Sequence, residues 1–364
     1  MSSTGEPPVS EVATQLRQFA ASTARRSPLT AALCLAASSS PRITGLLAEA
    51  PPAQRRPTLL LAAAHFLLLG GIGHDLADFY PSLTATPRPA DGVARAFFDF
   101  CVRYETDLRG LLAGRSTQTN EIGRAAALLP AALEIQREAG PLGLVEVGAS
   151  AGLLLRLDRY RYRYVGDETI ELGEPSVSPI VECAVRGVPP ELGGWPLRLG
   201  SRVGLDLHPV DVTDADERRW LLACVWADDL ERFERTRAAL DAAADDPVDL
   251  VRGDAVEDLA ALVDRVGASV HPVIFHSWAL TYLSPRRRAE FERLLDSLGR
   301  RRDLTWLFVE SRDEVPELPF PADARRHARS TELVAVRYRS GVRAVRLFAE
   351  LHPHGSWLAW NPVT

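Results

Sequence analysis

The chain contains no lysine; every one of its basic residues is arginine. Chemistry that depends on a lysine amine is therefore excluded, from Schiff-base enzymes of the pyridoxal or aldolase type to P-loops. Long apolar runs are missing too. No stretch reaches the roughly 18 uninterrupted apolar residues that a membrane span needs. The nearest, Leu59 to Leu69, contains His65 and stops at Gly70-Gly71, which predicts a buried core helix. The start of the chain lacks the basic, apolar and small-residue order of a secretory signal. Cys34, Cys101, Cys183 and Cys224 lie far apart with no CxxC pair, so neither a zinc framework nor a disulfide scaffold is expected. No His-Glu-x-x-His helix or EF-hand loop is present. A net charge of −6 argues against a general nucleic-acid surface. The expectation is a reduced, cytoplasmic protein with no metal, no membrane and no nucleic acid among its partners.

What is present falls into two textures. Up to about residue 140 the chain reads as helical: Val12 to Ala24, Leu29 to Ser38, Thr58 to Leu69, Val93 to Leu112 and Glu121 to Ala139. Pro41, Pro51-Pro52, Gly70-Gly71, the Pro81 to Pro89 stretch and Gly114 punctuate it. From Pro141 short strands alternate with helices. Leu144 to Val147, Arg202 to Leu205, Val248 to Val251, Pro272 to His276 and Leu304 to Glu310 read as buried strands. Helices are predicted at Leu153 to Arg159, Asp216 to Ala227, Leu230 to Ala243, Ala255 to Val266 and Pro285 to Arg300. That alternation indicates a parallel sheet built from βαβ units. Glu332 to Arg339 and Ala344 to Leu351 alternate around Ser340-Gly341 as a hairpin. The expected division is a helical domain over 1–140 and an α/β domain over 141–364. An irregular insertion at about 160–201, a lid or partner surface, interrupts the second.

The chemistry centres on Val145 to Gly152, VEVGASAG, a strand that ends in small residues. Gly, Ala and Ser there leave room for a ligand against backbone N–H groups, although a tight β-to-α turn needs glycine in any case. Glu146, just before the turn, could accept from a ligand amine. Further strands end in Asp206 (GLDLHP), placed for a ribose diol, in Gly253-Asp254-Ala255, where Asp254 could face an adenine amine, and in His276-Ser277-Trp278. Ligands of open α/β sheets bind outside such carboxyl ends.

These ordered motifs resemble class I S-adenosylmethionine-dependent methyltransferases over about the last two-thirds of the chain, the final hairpin included. More closely, TNEIGRAAALLPAAL, LVEVGASAGLLLRLDRYRYRY, GLDLHPVDVTD and VRGDA resemble a largely actinobacterial family catalogued as domain of unknown function 2332, over nearly the whole chain. The first resemblance implies a Rossmann-like sheet, mostly parallel with a C-terminal antiparallel hairpin. It implies a cofactor, S-adenosylmethionine or S-adenosylhomocysteine, held at its methionine portion by Glu146, Gly148, Ala149, Ser150 and Gly152. Asp206 and Leu207 would meet the ribose, Asp254 and Ala255 the adenine, and His276 would border the reacting centre. Asp206 lies some fifty residues past the turn, against about twenty in a dinucleotide fingerprint, so 160–201 must loop out. Were the second strand inside that insertion, Glu171 or Glu174 would bind the ribose.

The expected activity is methyl transfer to a small molecule, with His276 and Glu121 as candidate bases. Asn120, Arg124, Trp278 and Tyr282 would roof the pocket. The alternative is a cofactor-binding protein of the same fold that catalyses a non-methylating step, such as an intramolecular displacement, or serves as one subunit of a catalytic pair. Homo- and hetero-oligomers both stay open. Other patterns have plainer readings beside the functional one. Gln118 to Arg124 serves as a helix cap or as the pocket roof, and His74-Asp75 as a cap or a base pair. His352 and His354 share a strand face by coincidence or for a metal. Tyr160, Tyr162 and Tyr164 stack on a substrate or form a half-buried edge strand. Glu310 and Arg312 line the substrate side or pair with each other.

Overall fold

The computed structural model describes residues 9–321 and 331–360. The chain forms two compact units, Met1–Thr119 with Thr213–Arg237, and Asn120–Val212 with Ala238–Thr364.

The first unit is helical. Pro28, Pro41 and Pro57 each open a helix (Pro28–Ser38, Pro41–Ala48 and Pro57–Leu69) at the position where a missing N–H costs nothing. Pro57–Leu69 is apolar all round and nearly every side chain on it is buried, as expected of a core helix. The stretch Val93 to Leu112 breaks at Tyr104 into Val93–Arg103 and Glu105–Gly114. Among the described residues no single helix is long and apolar enough to cross a membrane.

His65 lies inside this unit, its Nδ1 3.3 Å from the Ala223 carbonyl and its Nε2 2.9 Å from Ser82 Oγ. Burial pushes it down to about 4, against the weaker pull of the Ala223 and Val225 carbonyls. A depressed histidine stabilises the fold above its unfolded value near 6.5, and that stability is lost as the pH falls from there toward 4. Acidification across this window is expected to cost about 3 kcal/mol through His65 alone. Urea titrations of wild type and His65→Gln at both ends of the window test this; equal acid sensitivity would refute it.

The second unit holds an eleven-stranded sheet. Its strands are β1 (Leu142–Val147), β2 (Arg161–Val165), β3 (Thr169–Leu172), β4 (Ile180–Val185), β5 (Leu199–Asp206) and β6 (Asp249–Arg252). They continue as β7 (His271–Ser277), β8 (Leu304–Glu310), β9 (Thr331–Arg339), β10 (Val342–Leu351) and β11 (Trp357–Trp360). The spatial order is β3-β2-β4-β11-β10-β9-β8-β7-β1-β5-β6. The run β6-β5-β1-β7-β8 is all parallel. From β1 the chain supplies β5 and β6 on one side, then β7 and β8 on the other, which makes the carboxyl end of β1 a topological switch point.

Val145, Val147, Leu205, Ile274, Trp306 and Phe308 share one apolar core with Leu259–Arg265 and Pro285–Arg301. Alternation then turns Glu146 to the opposite face. The expected hairpin is present: β9 and β10 pair from Arg339↔Val342 onward, and Ser340 and Gly341 both have positive φ, the geometry of a tight two-residue turn.

Two expectations are corrected. The segment at 160–201 is not irregular; it supplies β2, β3 and β4 to one end of the sheet. Tyr162 and Tyr164 point inward with Val181 and Cys183, while Arg161 and Arg163 point outward to Glu171 and Glu182. And Leu153 to Arg159 forms only the short 3-10 turn Leu154–Arg156. The chain beyond it folds back, the Tyr160 hydroxyl donating to the Leu153 carbonyl at 2.6 Å and the Tyr162 hydroxyl to the Leu157 carbonyl.

Candidate functional site

The carboxyl end of β1 carries the glycine-rich turn. Gly148 N–H donates to the Leu205 carbonyl at 2.8 Å, which ties the turn to β5. Gly148, Ser150 and Gly152 all have positive φ, and at Ser150, a residue with a side chain, this stores strain. A Cβ on Gly148 would lie 2.7 Å from Ala279 Cβ, and one on Gly152 would strike Val248. Those glycines let the turn pack against the chain beyond β7 and before β6.

Asp206 organises the turn from the neighbouring strand. Its two carboxylate oxygens accept the Ser150 N–H and the His208 N–H, each at 2.8 Å. Each oxygen keeps capacity for a further donor. Register fixes this, since Val147 and Leu205 are opposite and β5 is the immediate neighbour of β1. Glu171, by contrast, sits on β3 at the far end of the sheet, tied to Arg161 and Arg163. The ribose alternative at Glu171 or Glu174 is therefore dropped. Leu207, beside Asp206, is 56% exposed, an apolar surface at the mouth of the site.

Asn120 lies over the turn: its Nδ2 donates to Ser150 Oγ at 2.9 Å. Glu146 is buried to 4% exposure, and its Oε2 has no hydrogen-bond partner. Burial, then the Asp206 carboxylate, push the Glu146 carboxyl well above the ordinary range, against weaker opposing pulls from Arg124 and the Leu155 N–H.

Arg124 stitches the edge together. Its Nε donates to the Pro353 carbonyl at 2.8 Å, and one Nη to Ser277 Oγ at 3.1 Å at the end of β7. The backbones of Gly123 and Gly355 cross so closely that neither position has space for a Cβ. This crossing brings Glu121 to His354, Oε2 to Nδ1 at 2.9 Å, while Oε1 accepts the Gly123 N–H at 3.1 Å. Glu121 therefore acts on an imidazole. His352 and His354 do not alternate along a strand; they sit past the end of β10, where His352 Nδ1 accepts the His354 N–H at 3.2 Å.

On the other face of the sheet, His276 is removed from the candidate bases. It is fully buried, its Nε2 accepts the Trp306 indole N–H at 3.0 Å, and its Nδ1 lies 3.0 Å from Glu310 Oε1. An accepting Nε2 requires the proton on Nδ1, so the ring is neutral with both nitrogens engaged. Glu310 Oε1 also accepts the Ala279 and Leu280 N–H groups at 3.0 Å each, which fixes the turn that touches Gly148. Arg312 pairs with Glu332 at 2.8 Å, not with Glu310. Trp278, with φ 56°, has a buried indole N–H without a partner, and Tyr282 is 66% exposed nearby in the chain.

Asp254 is committed locally. Its carboxylate accepts the Val256 N–H at 2.8 Å and the Glu257 N–H at 3.2 Å, and pairs with Arg287. Burial would raise this carboxyl, but those donors outweigh it and hold it below the ordinary range. Its neighbour Ala255 is half-buried. The site thus gathers Asn120, Glu121, Arg124, Glu146, Gly148, Ala149, Ser150, Gly152 and Asp206, with His354, Ser277 and Pro353 added. The sequence marks His354 only as one of a histidine pair and Ser277 only as part of a strand end; nothing local places either of them, or Pro353, beside Glu121 and Arg124.

No curated protein and no solved structure matches this chain. Residues 13–360 match the model of a family described as "Uncharacterized protein conserved in bacteria (DUF2332)", and the chain belongs to that family.

Proposed function

We propose that the carboxyl edge of β1 and β5 binds S-adenosylmethionine or S-adenosylhomocysteine, in a methyltransferase-like enzyme that acts on a small molecule. The observation that carries this reading is the pairing of two carboxylates at the switch point. Glu146 is buried with an unpartnered oxygen, and Asp206 retains acceptor capacity beside a strained small-residue turn. Carboxyl groups so placed disfavour phosphates and favour an adenosine ligand that carries positive charge. Asp206 would accept the ribose hydroxyls, Leu207 would cover the adenine, and Glu146 would meet the amino-acid end. When bound, S-adenosylmethionine supplies a methyl group made electrophilic by its sulfonium. The protein holds the nucleophile in line and removes its proton where needed. With His276 committed, the Glu121–His354 pair is the better proton acceptor, because a carboxylate on Nδ1 orients the ring and stabilises its protonated form. The short turn after β1, in place of a helix, is a departure from the class I pattern.

A thermal-shift panel tests this. A ligand at about 100 times its Kd stabilises the fold by about 2.7 kcal/mol. S-adenosylmethionine and S-adenosylhomocysteine are expected to raise Tm, while ATP and NAD are not. A shift with ATP and none with either sulfur-containing ligand would overturn the proposal.

A further inference from the structure

We infer that the site takes up its cofactor in exchange for a proton, so that entry of an ammonium-bearing ligand and ionisation of Glu146 are a single event. This rests on the cofactor reading above. Glu146 ends β1 on the face opposite the apolar core, and one of its carboxylate oxygens meets no donor. An ionised carboxylate buried without a partner is costly, and the usual escape is protonation.

The charged and titratable groups that face it agree with that outcome. Asp206, from β5, carries the same sign and is held in place by the Ser150 and His208 N–H groups. Arg124, from the segment before the helix Ala125–Ala139, opposes it, yet that guanidinium also donates to Pro353 and Ser277. Tyr160, from the segment before β2, directs its hydroxyl to Leu153 and stays neutral, since burial pushes the phenol up. Burial and Asp206 prevail over Arg124 and the Leu155 N–H, so Glu146 holds its proton more tightly than an ordinary carboxyl.

An ammonium group brought against Glu146 reverses the balance, because an opposite charge favours the ionised carboxylate. The proton passes from the Glu146 carboxyl to solvent and the ammonium takes its place. No bond of the ligand breaks and nothing is oxidised. By linkage, affinity rises with pH, approaching tenfold per unit while the empty-site carboxyl is protonated, and levels off once it is ionised. An adenosine thioether without an amino group gains nothing from this exchange.

The test is calorimetric titration of the full chain at about pH 6 and about pH 7, each in two buffers of different ionisation enthalpy. The two ligands are S-adenosylhomocysteine and 5′-methylthioadenosine. S-adenosylhomocysteine is expected to release a proton and to bind tighter at the higher pH, by up to about tenfold. Methylthioadenosine should show neither effect, and Glu146→Gln should abolish both for S-adenosylhomocysteine. If that variant fails to fold, the comparison of the two ligands on wild type decides. S-adenosylhomocysteine binding with pH-independent affinity and no proton release would overturn the inference and leave the cofactor reading standing. Proton release that persists in Glu146→Gln would overturn it equally. Absence of binding by both ligands would instead overturn the cofactor reading itself.

Discussion

Alanine at position 206 is expected to weaken S-adenosylhomocysteine binding about 100-fold or more, with little change in overall fold. The Asp206 carboxylate already accepts the Ser150 and His208 N–H groups, and each oxygen has capacity for one donor more. A ribose diol supplies two donors, and a hydrogen bond to a charged acceptor contributes about 1.5–3 kcal/mol. Two such bonds amount to two to four powers of ten in affinity, since about 1.4 kcal/mol is tenfold. Removal of the carboxylate also frees the Ser150 N–H, at a residue whose φ of 51° needs support from its surroundings. Calorimetry on wild type and Asp206→Ala, with circular dichroism to confirm the fold, reads this directly. An affinity unchanged within about threefold, less than the loss of one charge-assisted bond, would move the ribose contact elsewhere.

The second large effect is expected on stability. Glu310→Ala should cost about 3–5 kcal/mol, because a donor shut away from water that loses its acceptor costs about 1–3 kcal/mol and this carboxylate serves three donors. Glu310 is wholly buried, and one of its oxygens serves His276, Ala279 and Leu280 together. Its loss leaves three donors without an acceptor, two of them buried, and releases the turn that packs on Gly148. Trp306→Phe removes the indole N–H that His276 Nε2 accepts, together with part of the buried ring, and is expected to cost about 2–4 kcal/mol. Urea denaturation near neutral pH measures both. A Glu310→Ala midpoint equal to wild type would show that the network contributes no net stability.

The parallel strands were legible because buried strands are short apolar runs closed by turn residues, and β5, β7 and β8 fall on such runs. The β9–β10 hairpin was legible from alternation about Ser340-Gly341. The strand at Arg161–Val165 was legible in part, as a half-buried strand with tyrosine inside and arginine outside, but not its place between β3 and β4, which distant partners set. The expected helix after the turn is cut to one 3-10 turn, onto which the Tyr160 and Tyr162 hydroxyls fold back, contacts that helical periodicity does not encode. At the site, Glu146, Ser150 and Asp206 meet because strand register brings adjacent strand ends together, which motif order reveals. The Glu121–His354 pair depends on a backbone crossing of segments more than two hundred residues apart, for which no local pattern exists. His276 misled because a strand-end histidine looks the same in sequence whether its nitrogens face a ligand or, as here, Glu310 and Trp306.

The central claim is that an adenosine ligand lies across the ends of β1 and β5, and a crystal structure grown with S-adenosylhomocysteine tests it most directly. The ribose hydroxyls are predicted within about 3 Å of the Asp206 carboxylate, with the ligand's ammonium at similar distance from Glu146. Ligand density away from these two carboxylates, or none at saturating ligand, would contradict the account.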